Sequence, residues 1–340
     1  MKLVKTDDAA GQVLCHDITR IIKGVTKDTP FRKGHVVTKE DIPVLKSLGK
    51  FNIYVWENDD TMMHENDAAM VLYEICRGDN LTGGEVREGK IELAAACDGL
   101  LTVDRERLDL VNSFGQMMIA SRHGNFPVKK GDKVAGTRII PLVIEKEKME
   151  KVKKMTEGAP IFNVKPFLRK KAGIVTTGRE VYEGLIEDTF TDVILEKLSD
   201  YDVSLEGHII CSDDKEMIVS AVRNLLDRGC DLIICTGGMS VDPDDLTPYA
   251  IKAVTGDDGI YGAPVLPGAM FMIGYCGDEN IPVMGLPGCV MYSKRTIFDL
   301  VLPRVMAGEI IHKEDIESLG EGGLCLGCSV CTFPNCGFGK

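Results

Sequence analysis

Residues 232–235 read Leu-Ile-Ile-Cys, and the five that follow are Thr-Gly-Gly-Met-Ser. A short, unbroken apolar run ended by paired glycines predicts a strand covered on both faces. Such a strand needs a layer of helices on each side, and the flanking sequence offers them. Residues 172–176 are a second short apolar run, ended by Thr177-Gly178. Residues 188–200 carry Val193, Ile194 and Leu198 at helical spacing, and residues 203–210 read as a strand. Asp213 with Glu216 three positions on has the form of a capping box. Ile218, Val222, Leu225 and Leu226 give that helix one apolar face, and Gly229 ends it. Residues 281–285 predict another strand and residues 289–306 a helix. Strands alternating with helices predict an α/β domain over residues 166–310, a three-layer parallel sheet. Right-handed crossovers place the loops after the strands on one edge, where such sheets bind ligands.

The flanking regions are less regular. Residues 1–165 predict an α+β N-terminal domain. Helices are expected at 41–48, 67–77, 103–121 and 145–155. Strands are expected at 36–37 and 51–56, with two more around the Lys130-Gly131-Asp132 turn. Gly158-Ala159-Pro160 reads as a linker. Residues 311–340 form a tail that holds four of the twelve cysteines.

Composition closes off several functions. The 340 residues suffice for two domains with a sizeable core, and no disulfide scaffold is needed. A hydrophobic share of 44% and a charged share of 27% belong to a globular chain. A net charge of −12 argues against nucleic acid as a partner, because a phosphate-backbone binder carries a basic stripe. No apolar stretch is long enough for a membrane span, and the first residues have no leader-like run. The expected location is the cytoplasm, where thiols stay reduced. Clustered cysteines there suggest metal or redox chemistry before disulfides.

Three loops fall at predicted C-terminal strand ends: residues 176–180, 236–245 and 285–289. In the second, Gly237 and Gly238 let the backbone approach a ligand and present N–H groups. Thr236 and Ser240 add hydroxyls, and a helix beginning near Asp244 would help to hold an anion. Asp245 could hold a divalent cation that bridges to phosphate. The plainer reading is a glycine-rich turn with acidic caps. The loop is not the Walker pattern, since no lysine follows the glycines. In the first loop, Thr177, Gly178 and Glu180 share the same edge. Asp188 begins the next helix, where a capping role competes with a functional one. Pro287 and Gly288 turn the third loop into a helix.

At this point the residues resemble a family. The stretches TTGRE at 176–180, IEDT at 186–189, CSDDKEMI at 211–218, TGGMSVDPDD at 236–245 and GLPGC at 285–289 carry the resemblance. Residues 172–306 resemble the molybdopterin-binding domain shared by molybdenum-cofactor biosynthesis proteins. Within that set they are most similar to the molybdopterin molybdenumtransferases. The resemblance implies that Thr236, Gly237, Gly238 and Ser240 cradle phosphate, with Asp245 as the loop's acid. It implies catalytic acids at Asp245, Glu180 and Asp188, and ligand contacts at Thr177, Gly178, Pro287 and Gly288. Asp213 and Asp214 match the family's acidic pair, of which Asp214 is placed with the ligand contacts. The implied ligands are molybdopterin or adenylyl-molybdopterin, molybdate and Mg²⁺. The implied reaction is insertion of molybdate with phosphoanhydride cleavage, and the implied assembly is a homodimer.

The chain departs from the family's pattern. Phe190 stands where the family has asparagine, Asp242-Pro243 where Gly-Glu is common, and Cys289 where asparagine is common. The family's N-terminal acidic signature and C-terminal β-domain are not present. These departures favour a second reading, a carrier, sensor or insertion chaperone that binds molybdopterin and serves a molybdoenzyme without chemistry of its own.

The tail is a separate matter. Cys325, Cys328, Cys331 and Cys336 form a CxxCxxCxxxxC pattern. Four thiolates suit tetrahedral Zn²⁺ or an iron–sulfur cluster, and spacing alone does not separate the two. Gly322, Gly323, Gly327 and Gly337 give the segment room to wrap a metal.

Overall fold

A computed structural model of the chain describes residues 1–340 apart from Lys23, Val25 and Asn58. The chain divides into two compact units. The first comprises Met1–Ala96, Val103–Arg122 and Lys130–Asn163, and the second Cys97–Thr102, His123–Lys129 and Val164–Lys340. The second unit thus includes two short stretches from the first half of the sequence.

The first unit mixes helices with antiparallel strands. Its largest sheet runs Leu81–Gly83, Lys90–Ala95, Lys133–Ile139, Met117–Ser121. In Lys90–Ala95 the buried positions are Ile91, Leu93 and Ala95, the period of two of a sheet covered on one face. The helix Glu65–Cys76 packs against this sheet and buries Ala68, Ala69, Leu72 and Ile75.

Two expectations need correction here. Residues 103–121 are not one helix. The helix Arg105–Ser113 is followed by Gly115 and Gln116, both at positive φ (66° and 64°), and Met117–Ser121 is an edge strand. Consecutive left-handed residues cannot continue a right-handed helix. Residues 36–37 form no strand either, because Val36 makes only an isolated bridge to Val13.

The second unit is built on a six-stranded sheet. Its elements are β1 (Lys171–Thr177), α1 (Phe190–Leu198), β2 (Ser204–Cys211), α2 (Lys215–Asp227), β3 (Leu232–Thr236), α3 (Thr247–Thr255), β4 (Ile260–Tyr261), β5 (Met272–Cys276), β6 (Ile281–Leu286) and α4 (Ile297–Met306). The strand order is β2-β1-β3-β6-β5-β4. The first four are mutually parallel, while β5 runs antiparallel to both β6 and β4. The expected parallel sheet thus holds for four strands only. The chain reverses between β5 and β6 in a turn with Gly277 and Asn280 at positive φ, where the Asn280 N–H donates to Gly277 O. So short a connection permits only an antiparallel pair.

Alternate residues feed two cores. Ala172, Ile174, Leu232, Ile234 and Met284 face one side, with Ile194 and Leu198 of α1 and Phe298 and Val301 of α4. Val175, Ile233, Cys235 and Val283 face the other, with Val222 and Leu225 of α2 and Ala250 and Ile251 of α3. Every residue of β3 is fully buried. Burial of each of its leucine and isoleucine side chains contributes about 2 kcal/mol.

The helix expected at 289–306 is two pieces. Gly288–Met291 is a single 3-10 turn, and α4 starts at Ile297 behind a capping box of Thr296 and Asp299. Asp299, only 4% exposed, also accepts from Lys197 Nζ at 2.8 and 2.9 Å and from Arg295 Nη1 at 2.8 Å. Lys197 lies on α1, so this ion cluster ties α1 to α4. The tail is part of the same unit: Ile311, Ile316 and Phe338 are buried in the α1/α4 core. No helix among the described residues is long and apolar enough to cross a membrane.

Removing the acceptor shared by Lys197 and Arg295 leaves two partly buried cations without a counter-charge. Asp299→Ala is expected to lower the stability of the second unit by about 3 kcal/mol, read from urea unfolding by circular dichroism.

Candidate functional site

The C-terminal ends of β1, β3 and β6 lie side by side, with Thr176 opposite Thr236 and Thr236 opposite Leu286. Three chain segments leave the sheet there: residues 178–189 after β1, 237–246 after β3 and 287–296 after β6.

Glycine sets how the first two meet. Gly237 has φ 82°, and a Cβ there would stand 2.1 Å from the carbonyl oxygen of Thr177. Gly238 has φ 55°, and its Cβ would stand 2.8 Å from Thr247 Oγ1. No other residue lets the β3 loop lie against the end of β1 in this conformation. Gly178, at φ 141°, gives the first loop its departure angle, and Glu180 Oε2 lies 3.9 Å from where its Cβ would be. Gly288, by contrast, would have nothing within 4 Å of a Cβ.

Under the loops lies a lattice of threonine hydroxyls. Thr177 Oγ1 donates to Thr236 O at 3.1 Å and lies 3.1 Å from Thr247 Oγ1. Thr247 Oγ1 donates to Gly237 O at 2.9 Å, and the Thr247 N–H donates to Gly238 O at 3.2 Å. Thr236 Oγ1 donates to Thr176 Oγ1 at 3.4 Å. All four threonines are buried. The hydroxyls of Thr177 and Thr236 therefore fasten the two loops to each other and to the first residue of α3.

Asp188 extends the lattice. Its carboxylate accepts from Thr176 Oγ1 at 3.1 Å, Thr191 Oγ1 at 2.6 Å and the Phe190 N–H at 2.8 Å. His208 Nε2 stands 3.1 Å from the same carboxylate and 3.0 Å from Thr176 Oγ1. Burial raises the Asp188 pKa, but the donors from Thr191, Phe190 and Thr176 together outweigh it, and the carboxyl sits below its ordinary value. Capping and site placement coincide in this residue, which holds the start of α1 while standing next to the strand ends.

The acidic pair divides otherwise than the capping-box pattern suggests. Asp214, not Asp213, caps α2, accepting from the Met217 N–H at 2.8 Å. Asp213 turns to the first loop and accepts from the Arg179 N–H at 3.0 Å. The helix expected near Asp244 starts later, at Thr247 with Pro248 in its first turn, and residues 241–246 remain loop. The Asp245 N–H donates to Asp242 O at 3.0 Å. Glu180, Ser240 and Gly288 are exposed, Asp245 is half-buried and Pro287 is buried.

Under the glycine loop, Met239 is buried, and a Cβ on Gly285 would meet its sulfur at 2.5 Å. Tyr261 Oη donates to Met239 O at 2.9 Å. Burial first, then the charge of Asp245, pushes the Tyr261 phenol up. Full burial pushes the Cys235 thiol up to about 12, as suits a core side chain.

Sequence reasoning did not single out Thr176, Thr191, His208 or Thr247. The pair Thr247-Pro248 carried a usable signal, a helix start, overshadowed by the acids before it. His208 carried none, because its partners come from other elements.

Residues 173–307 match the family described as the probable molybdopterin binding domain, and residues 3–57 match a domain of unknown function. A CinA-like protein of Mycobacterium avium is 35% identical over 95 residues, 28% of this chain and 22% of that protein. A CinA-like protein of Thermosipho melanesiensis is 36% identical over 92 residues, 27% of this chain and 23% of that protein. The chain thus spans less than a quarter of the length of these relatives. Among solved structures, the molybdopterin biosynthesis enzyme MoaB of Thermus thermophilus is 24% identical, over 41% of this chain and 98% of that one, with a TM-score of 0.35. The tungsten cofactor synthesizing protein MoaB of Pyrococcus furiosus is 23% identical, over 42% of this chain and 93% of that one, with a TM-score of 0.34. The family match supports the molybdopterin-binding domain in general and does not single out the molybdenumtransferases.

Two outcomes test the geometry of the loops. Gly237→Ala meets both a positive φ and a backbone oxygen, and is expected to lower stability by about 2 kcal/mol in urea unfolding. Gly288→Ala meets neither and is expected to stay within about 0.5 kcal/mol of the parent. The depressed pKa of Asp188 makes its contribution complete above the unfolded carboxylate value of about 3.9 and lost as pH falls through the lower folded value. Asp188→Asn is accordingly expected to flatten the acid limb of the stability profile, measured as urea midpoints between pH 6 and pH 3.

Proposed function

We propose that the second unit binds molybdopterin or its adenylate at the edge formed by residues 176–180, 236–245 and 285–288, and works in assembly of the molybdenum cofactor. The observation that carries this reading is the contact of Gly237 with the end of β1. It holds the β3 loop flat against the sheet edge, where backbone N–H groups can meet a phosphate. Gly238 and Ser240 are the loop's candidates for that contact, while Thr177 and Thr236 support it from below. The match of residues 173–307 to the molybdopterin-binding domain supports the choice of ligand.

In its enzymatic form the reading has molybdate inserted as the adenylate is cleaved to AMP. Asp245 is the carboxylate that would hold Mg²⁺ at this edge, since Mg²⁺ is usually bound through one or two carboxylates together with substrate phosphates. When bound it would neutralise charge on the phosphates. Glu180 exposes its carboxylate beside Gly178. Asp188 supports the second reading, a carrier, sensor or insertion chaperone for a molybdoenzyme: its carboxylate already serves Thr176, Thr191 and the start of α1. A homodimer belongs to either form.

Incubation with molybdopterin-adenylate, Mg²⁺ and molybdate separates the two. Release of AMP with cofactor formation, reduced at least tenfold in Asp245→Ala with the fold intact, supports the enzyme. Tight binding without AMP supports the carrier. No binding of either pterin would sink both.

A further inference from the structure

By spacing, the four tail cysteines suit either a single ion or a cluster. The structure adds the space that they share. Cys325, Cys328, Cys331 and Cys336 all line one cavity of about 520 Å³ in the second unit. A single Zn²⁺ would draw its four sulfurs to about 2.3 Å from one point. Among the described residues no three His, Cys, Asp or Glu side chains are already gathered around one point. The four cysteines share the wall of a space much larger than one ion needs, and a cluster bound by one thiolate per corner is the occupant of that size.

The segment that carries them is held at both ends. The Gly339 N–H donates to Gly322 O at 3.0 Å, which closes residues 322–339 into a loop. At its base the Leu266 N–H donates to Gly323 O, and the Cys325 N–H donates to Leu266 O, both at 2.8 Å. Inside the loop Phe333 packs between Phe126 and Phe338, with ring centroids 5.7 and 6.1 Å apart. The Arg295 guanidinium sits 4.9 Å over the Phe333 ring. A reduced, unstructured tail would show none of this.

The cavity also has the charge that an anionic occupant needs. Lys294 and Arg295 line it, Arg295 being also paired with Asp299 outside the lining, and no carboxylate or imidazole is among the lining residues, in a chain whose net charge is −12. Arg295 Nε is buried and has no hydrogen-bond partner among the described residues. A cluster with four thiolate ligands is negatively charged and offers sulfur acceptors to such a donor.

We propose that Cys325, Cys328, Cys331 and Cys336 ligate a [4Fe–4S] cluster in this cavity. The site is independent of the molybdopterin reading, and its readout needs no pterin. The test uses the full chain, purified without oxygen and reconstituted with ferrous iron and sulfide. The expected result is about four iron and four labile sulfide per chain, with a paramagnetic signal after dithionite reduction. Cys328 and Cys331 are exposed, so the double variant Cys328→Ala, Cys331→Ala should keep its circular dichroism while losing iron at least tenfold. Cys97→Ala, outside the cavity, should keep its iron. One zinc per chain without sulfide, no uptake of iron and sulfide at all, or a double variant that retains the cluster would each overturn the proposal.

Discussion

The second unit depends on the double-sided burial of β3. Leu232, Ile234 and Thr236 face one way, Ile233 and Cys235 the other, and water reaches none of them. A strand so placed must have hydrogen-bonded neighbours on both edges and helices over both faces, because unpaired backbone there would be costly. β1 and β6 pair with it, and α1 with α4 and α2 with α3 supply the two cores. Once β3 is fixed, the segment that leaves its end cannot descend into either core. It must cross the edge of the sheet, which is why the glycine loop lies there.

That crossing is rigid for a reason beyond glycine. Thr176, Thr177, Thr236 and Thr247 are buried, yet their hydroxyls find partners among each other and on the loop carbonyls. Buried hydroxyls left unpaired would destabilise the edge; paired, they specify one geometry. Asp188 and His208 continue the same network to α1 and β2. A surface whose supporting groups are already committed can present N–H donors with little reorganisation.

Much of this was legible in the sequence. The apolar runs at 172–176 and 232–235 announced strands, and glycines at 178, 237, 238 and 288 marked the loops. What the sequence could not carry were features set by long-range partners. Asp213 and Asp214 are both plausible caps, and only the position of Arg179 assigns Asp213 to the first loop. β5 contains a glycine that a Cβ would drive into Thr255, a packing fact that propensity does not encode. In residues 103–121 the helical pattern continued past Ser113, and only the reversal at Gly115 and Gln116 turned Met117–Ser121 into a strand. The tail's thiols were recognisable by spacing, whereas their common cavity required the aromatic packing around Phe333.

The contact of Phe126 with Phe333 has a consequence for assembly order. Phe126 enters the α1/α4 core from the first half of the sequence, and Phe333 and Phe338 reach it from the last part. During synthesis Phe126 emerges long before Phe333 and Phe338, so this contact joins distant parts of the chain. Closure of this corner is thus a late, non-local event, slow in the way that distant contacts are.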